Sequence, residues 1–170
     1  MIWIKLLKKL FKALNADASP SEIAGGVVLG AVLGLTPVFA LHNLLILALV
    51  LVIRVNVSAA VFSSILFGII GYTVDPVSHA LGSRLLTAPA LSPLWEKLYN
   101  VPVVPLSMFN NTVVLGSLVI SVLAALPLFF VSAKFVIVYR SKLQAKIEKM
   151  KLVKLLKASK IYGIYKRFKS

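Results

Sequence analysis

The sequence predicts an all-α integral membrane protein: a re-entrant or short helical hairpin plus two transmembrane helices, flanked by amphipathic basic helices at both ends. Hydrophobic residues make up 59% of the 170 residues, and charged residues make up only 14%. A chain of this length lacks the interior volume to bury so much apolar surface, so much of that surface must face lipid. Cysteine is absent, which excludes disulfides and thiolate chemistry.

The net charge of +14 is concentrated at the two ends of the chain. Residues 1–16 carry +4, residues 140–170 carry +10, and residues 17–139 are neutral. A neutral apolar body between cationic ends indicates a membrane protein with no nucleic-acid partner. Because Lys and Arg beside membrane spans stay cytoplasmic, we expect both termini in the cytoplasm and an even number of complete crossings.

Residues 1–16 predict an amphipathic helix in the plane of the membrane interface. Its lysines fall on one arc of a helical wheel, opposite an apolar face, and suit a bilayer with anionic headgroups. They are Lys5, Lys8, Lys9 and Lys12. A signal peptide is the competing interpretation, but acidic residues follow at once and the apolar run continues too far. Residues 140–170 predict a basic cytoplasmic tail.

Apolar runs divide the membrane domain, residues 17–139. Residues 57–74 and 112–139 each predict one span, with an outer loop over residues 75–111 between them. Residues 23–53 are too many for one untilted crossing and too few for two crossings with a turn. Because Pro37 interrupts this run, we predict a hairpin over residues 19–53 that enters the membrane and returns. One long tilted helix with a proline kink is the alternative.

The predicted hairpin has a marked start and a stripe of small residues. Ser19 and Glu22 form a capping box around Pro20, which sits at the first helical position. Glycines then recur every four residues, at Gly26, Gly30 and Gly34. Glycine at this spacing lets another backbone approach closely in lipid. We interpret the stripe as a contact between the two hairpin arms, or between this protein and a partner.

These residues resemble a signature of a small bacterial inner-membrane family, domain of unknown function 2062. The resemblance covers about residues 19–86: Ser-Pro-x-x-Ile-Ala, the spaced glycines, Thr-Pro at residues 36–37 and the polar step His42-Asn43. The family's second motif is Asn-Pro, and this chain has Asp75-Pro76 in its place. The resemblance implies an inner-membrane location, with some members joined to glycosyltransferase or other envelope-related domains, and it implies no reaction.

Two groups of polar residues are candidate sites. Thr36, Pro37, His42 and Asn43 are predicted to form the hairpin turn and a polar cleft; the alternative is that His42 hydrogen-bonds exposed backbone at the turn. The second group is Asp75, His79 and Arg84. If Asp75 opens a helix, it caps that helix and His79 lies one turn on, on the same face.

The chemistry of the second group is open to two interpretations. Asp75 and His79 would suit a proton relay or a metal, but two ligands are too few for a dedicated zinc site. We therefore predict a helix cap and a lipid-headgroup contact, with no metal and no cofactor. In the outer loop, Trp95 and Tyr99 are typical of a membrane interface.

The sequence offers few candidate catalytic residues. It has no Gly-rich loop with Lys, no paired glutamates and no Ser-His-Asp set. We therefore expect a protein that is not an enzyme. The prediction is an inner-membrane subunit that docks a larger envelope membrane protein and assists phospholipid or envelope-lipid transport. A small oligomeric channel or transporter for a small solute is the alternative, in which the chain would form a homo-oligomer.

Overall fold

The computed structural model describes residues 18–143, and the regular elements of that part of the chain are all helical. The α-helices are α1 (Pro20–Leu35), α2 (Leu41–Val52), α3 (Val57–Thr87), α4 (Ser92–Tyr99) and α5 (Thr112–Val138). Short 3-10 turns occupy Pro89–Leu91 and Val104–Ser107, and a π-helical turn over Tyr139–Leu143 follows α5. The predicted interfacial helix with Lys5, Lys8, Lys9 and Lys12, and all but the start of the basic tail, lie outside the described residues.

The helices fall into two length classes. α3 and α5 are long and apolar enough to cross a membrane. They have 31 and 27 residues, or about 46 and 40 Å at about 1.5 Å per residue. α1 and α2 have 16 and 12 residues, so at about 24 and 18 Å they are shorter than a hydrocarbon core of about 30 Å. The chain breaks between α1 and α2, at residues 36–40, rather than forming one long helix.

α1, α3 and α5 pack together as the core of the molecule. Ile23 of α1, Ala59 of α3 and Val136 of α5 form a buried cluster with Tyr139. At the same end, the Arg140 guanidinium donates from Nη2 to the Ala18 carbonyl oxygen at 2.9 Å. At the other end of the bundle, the start of α5 contacts α3 at Ser78 and Gly82, near the end of α3. α3 and α5 are therefore antiparallel. The core is thus a three-helix bundle, with α2 on its outside.

Asp75 does not cap a new helix, and α3 is longer than the predicted second span. We expected a span over residues 57–74, and Asp75 as the cap of a new helix in the outer loop. Instead α3 continues through Pro76 to Thr87, and Asp75 lies inside it. Proline removes one backbone hydrogen bond, but a helix tolerates that loss where neighbouring helices cover it. Here Ser78 and Gly82 are buried against the first turns of α5, so packing holds the extension in helical form.

The segment between α3 and α5, residues 88–111, is held in place by aromatic contacts. The Trp95 indole donates from Nε1 to the Leu85 carbonyl oxygen at 3.0 Å, which fastens α4 to the last turns of α3. The Trp95 ring also stacks on Phe109, with ring centroids 6.0 Å apart. α5 then begins at the Asn111 cap, whose Oδ1 accepts from the Val113 and Val114 amides.

Candidate functional site

The glycine stripe of α1 lies directly against α3. A Cβ atom at Gly26 would overlap the Asn56 carbonyl oxygen, and one at Gly30 would overlap the Ala60 carbonyl oxygen. Gly34 continues the contact one turn later, against Ser64, Phe67 and Gly68. These three glycines therefore serve packing within the chain. Their partner is α3, not the other short helix and not a second protein.

Ser63 adds a polar contact to this interface that sequence reasoning missed. Its hydroxyl donates to the Val27 carbonyl oxygen at 2.7 Å and joins α3 to α1. Ser63 follows Ala59 by four residues and is almost completely buried. The signal was present as a second run of small residues on α3, because close helix contacts in lipid need small residues on both sides.

Thr36 and Asn43 hold the turn between α1 and α2. Both are buried, at 3% and 4% exposed. The Thr36 hydroxyl oxygen lies 2.8 Å from both the Val32 carbonyl oxygen and Asn43 Oδ1. The Asn43 amide donates from Nδ2 to the Pro37 carbonyl oxygen at 2.8 Å. Because the break at Pro37 leaves backbone carbonyls without helical partners, this network satisfies them inside the protein.

His42 does not join the network. The side-chain hydrogen bond to turn backbone that we considered for His42 is made by Asn43 instead. Within the described part of the chain, His42 Nε2 is buried and has no hydrogen-bond partner. The structure therefore brings Thr36, Pro37 and Asn43 together at the turn and leaves the imidazole beside them unpaired.

The residue 19–53 segment begins and ends at the same end of α3. The Asn56 amide, just after the segment, donates to the Glu22 carbonyl oxygen near its start at 2.9 Å. At the far end, Leu35 lies against Gly71. The segment thus follows α3 for about 22 Å, from residue 56 to residue 71. α3 then continues to Thr87 with only α5 of the core beside it.

α2 is much less covered than α1. It buries only Asn43 and Val50, whereas α1 buries seven of its residues. Six large apolar side chains of α2 are exposed: Leu44, Leu45, Leu47, Leu49, Leu51 and Val52. The exposed surface continues into the turn, where Phe39 is 90% exposed. We call this surface, residues 38–52, the α2 face.

Asp75, His79 and Arg84 do not form one site. All three lie on α3, and no hydrogen bond or ion pair joins any two of them within the described residues. His79 instead contacts the first residue of α5, with Nδ1 2.7 Å from the Thr112 hydroxyl oxygen. Arg84 is exposed in the last turn of α3. The part of the chain that the structure describes holds no cluster of three potential metal ligands.

The chain is similar to a family of bacterial proteins and to one relative in particular. Residues 5–144 match a family described as "Uncharacterized protein conserved in bacteria (DUF2062)". The chain is 34% identical over 144 residues to an uncharacterized protein of Treponema pallidum (strain Nichols), covering 85% of this chain and 89% of that protein. No solved structure matches the chain. The family match extends beyond residues 19–86 on both sides and includes α5.

Proposed function

The chain belongs to the DUF2062 family of bacterial proteins, and from that premise we propose that it is a non-enzymatic subunit of the inner membrane. In this proposal it docks a larger envelope membrane protein and assists the transport of phospholipid or another envelope lipid. α3 and α5 cross the membrane, and both termini are cytoplasmic. The residue 19–53 segment is a re-entrant hairpin that enters from the cytoplasmic side and returns to it.

The contacts of the residue 19–53 segment support a re-entrant hairpin. Its ends meet through the bond between Asn56 and Glu22, and its turn stops beside Gly71, part of the way along α3. Non-helical backbone at membrane depth is tolerated only where protein or water covers it. The buried side chains of Thr36 and Asn43 supply that cover at the turn.

The α2 face is the observation that carries the docking proposal. The glycines of α1 pack against α3, so the close-packing surface of α1 is already occupied within the chain. α2 buries only two of its twelve residues and leaves leucines exposed on the side opposite them. A membrane helix of a larger protein that packs on α2 would complete the bundle on its uncovered side.

The length of α2 agrees with its place in the re-entrant hairpin. A helix of about 18 Å is shorter than the hydrocarbon core of about 30 Å, so α2 reaches only part of the way across. A partner docked on α2 would therefore meet phospholipid beside a helix that ends within the membrane.

The channel alternative has less support from these contacts. It needs Thr36, His42 and Asn43 to line water, but Thr36 and Asn43 are buried and bonded to each other and to backbone. A channel would have to form between several copies of the chain. We treat that arrangement as an outcome of the experiment below.

Docking on α2 is tested by site-specific photo-crosslinking in native membranes. A photoreactive residue at Leu45 of α2 is compared with one at Leu123 of α5, a matched control because the two side chains are 64% and 70% exposed. We expect Leu45 to crosslink to a second, larger polypeptide and Leu123 to crosslink mainly to lipid. Identical products from both positions would contradict docking on α2, and products containing only this chain would favour the oligomeric channel.

A further inference from the structure

An open cleft of about 320 Å³ lies at the end of the bundle where α3 meets the start of α5. Three aromatic residues, Trp95, Tyr99 and Phe109, contribute to its lining. The polar side chains in the lining are Glu96, Asn100 and Asn110. None of the candidate residues from the sequence belongs to this cleft, and the function proposed above does not use it.

The fold holds the walls of the cleft in place. Trp95 is fixed by its bond to the Leu85 carbonyl oxygen and by its stacking on Phe109, with an interplanar angle of 28°. The Asn100 side chain donates from Nδ2 to the Glu96 carbonyl oxygen at 2.8 Å and closes the last turn of α4. The lining therefore comes from a short helix that is joined to α3 through Trp95 and closed at its end by Asn100.

The lining is mostly apolar and aromatic, and Glu96 is its charged residue. The Glu96 side chain is exposed and has no ion pair within the described residues, so it is open to a positively charged guest. Aromatic rings attract ammonium groups through their negative faces, and a carboxylate adds a direct charge interaction. Lys97, the neighbouring cation in the chain, is not part of the lining.

The surroundings of the cleft indicate a depth near lipid headgroups. Residues 98–111 carry no charged side chain. They also expose several apolar side chains: Val101, Val103, Leu106 and Met108. Such a loop suits the outer half of a bilayer, and Trp and Tyr concentrate at the level of the headgroups. A guest at that depth is part of a membrane lipid.

We propose that this cleft binds the ammonium headgroup of a phospholipid, of the ethanolamine or choline type. The proposal deepens the function proposed above, because it names the lipid class. It rests on the membrane placement in that function and is independent of partner docking.

The test uses the full chain in mild detergent and measures retained lipid by native mass spectrometry. Phosphatidylethanolamine is titrated against phosphatidylglycerol with the same acyl chains. We expect the parent to prefer phosphatidylethanolamine and Glu96→Gln to lose about threefold to tenfold of that preference. Lys97→Gln changes the charge of the next residue without altering the lining, so it should keep the preference of the parent.

Three results would overturn the proposal. The first is equal retention of the two lipids by the parent. The second is a loss of lipid preference in Lys97→Gln as large as the loss in Glu96→Gln. The third is displacement of bound phosphatidylethanolamine by free phosphoethanolamine as effectively as by added lipid. Tyr99→Ala provides a second variant, since Tyr99 is exposed at the rim and its loss should reduce the preference without unfolding the bundle. Crosslinking from Leu45 should be unchanged in Glu96→Gln, so failure of this site and failure of docking are distinguishable.

Discussion

We expect Gly30→Ala to push α1 away from α3 and to lower the free energy of unfolding by about 2–3 kcal/mol. A Cβ atom there would overlap the Ala60 carbonyl oxygen and come within 2.8 Å of the Ser63 Cβ atom. The first of these atoms belongs to the backbone, so rotation of a side chain cannot relieve the overlap. The gain in helix propensity from Gly to Ala, about 1 kcal/mol at most, offsets only part of the cost.

Gly68→Ala is the matched control for this change. Gly68 lies on α3 in the same interface, but a Cβ atom there would find its nearest neighbour, the Gly34 carbonyl oxygen, at 3.8 Å. That is an ordinary van der Waals distance, so we expect stability equal to or slightly above that of the parent. Both variants are compared by thermal unfolding in detergent, followed by circular dichroism. Equal midpoints for the two variants would contradict the close contact of α1 with α3.

Asn43→Leu is expected to loosen the turn between α1 and α2, at a cost of about 1–3 kcal/mol. The leucine cannot donate to the Pro37 carbonyl oxygen, which then keeps only the Ala40 amide as a donor. The Thr36 hydroxyl also loses its contact with Asn43 and keeps only the Val32 carbonyl oxygen. Because the chain has no cysteine, a single Ala40→Cys substitution reports on the turn, where Ala40 is buried. Its labelling by a thiol reagent should be faster when Asn43 is Leu.

His42→Leu is the neighbouring control. His42 Nε2 is buried without a hydrogen-bond partner, so replacing the imidazole with an apolar side chain removes an unpaired polar atom. We expect no loss of stability and unchanged labelling of the Ala40→Cys reporter. If His42→Leu loosened the turn as much as Asn43→Leu, the assignment of the network to Asn43 would be wrong.

The sequence predicts best the features whose partners lie close together in the chain. The capping box of α1 is confirmed: the Ser19 amide donates to Glu22 Oε2 at 2.9 Å, and the Glu22 amide donates to Ser19 Oγ at 3.2 Å. The Asn111 cap of α5 is equally local, since its Oδ1 accepts from the Val113 and Val114 amides. Each cap involves residues at most three positions apart, so no tertiary contact is needed to form it.

The end of α3 could not be predicted from local sequence. Asp75-Pro76 has the form of a helix start, because proline fits the first helical turn and aspartate is a good cap. The helix passes through it because Ser78 and Gly82 fit against Gly116 and Thr112. Those residues lie more than 25 positions later in the chain, and the hydropathy of residues 57–74 carries no information about them.

The glycine stripe shows a similar limit for the candidate site. Its spacing correctly indicated close backbone contact, but spacing on one helix does not identify the helix that packs on it. Likewise, His42 and Asn43 are adjacent polar residues, and the sequence alone does not show which of them reaches the Pro37 carbonyl oxygen. The geometry of the turn decides that, and it selects Asn43.

The tie between Ala18 and Arg140 has a consequence for how the protein is made. α1 is made before α3, and α5, which completes the bundle around both, follows α1 by about a hundred residues. At about 5–20 residues per second, synthesis of that stretch takes on the order of 5 to 20 seconds. The glycines of α1 meet α3 early in this interval, but the side of the α1 and α3 pair that faces α5 stays uncovered until its end. The bundle is therefore assembled in two steps, and the tie between Ala18 and Arg140 belongs to the second.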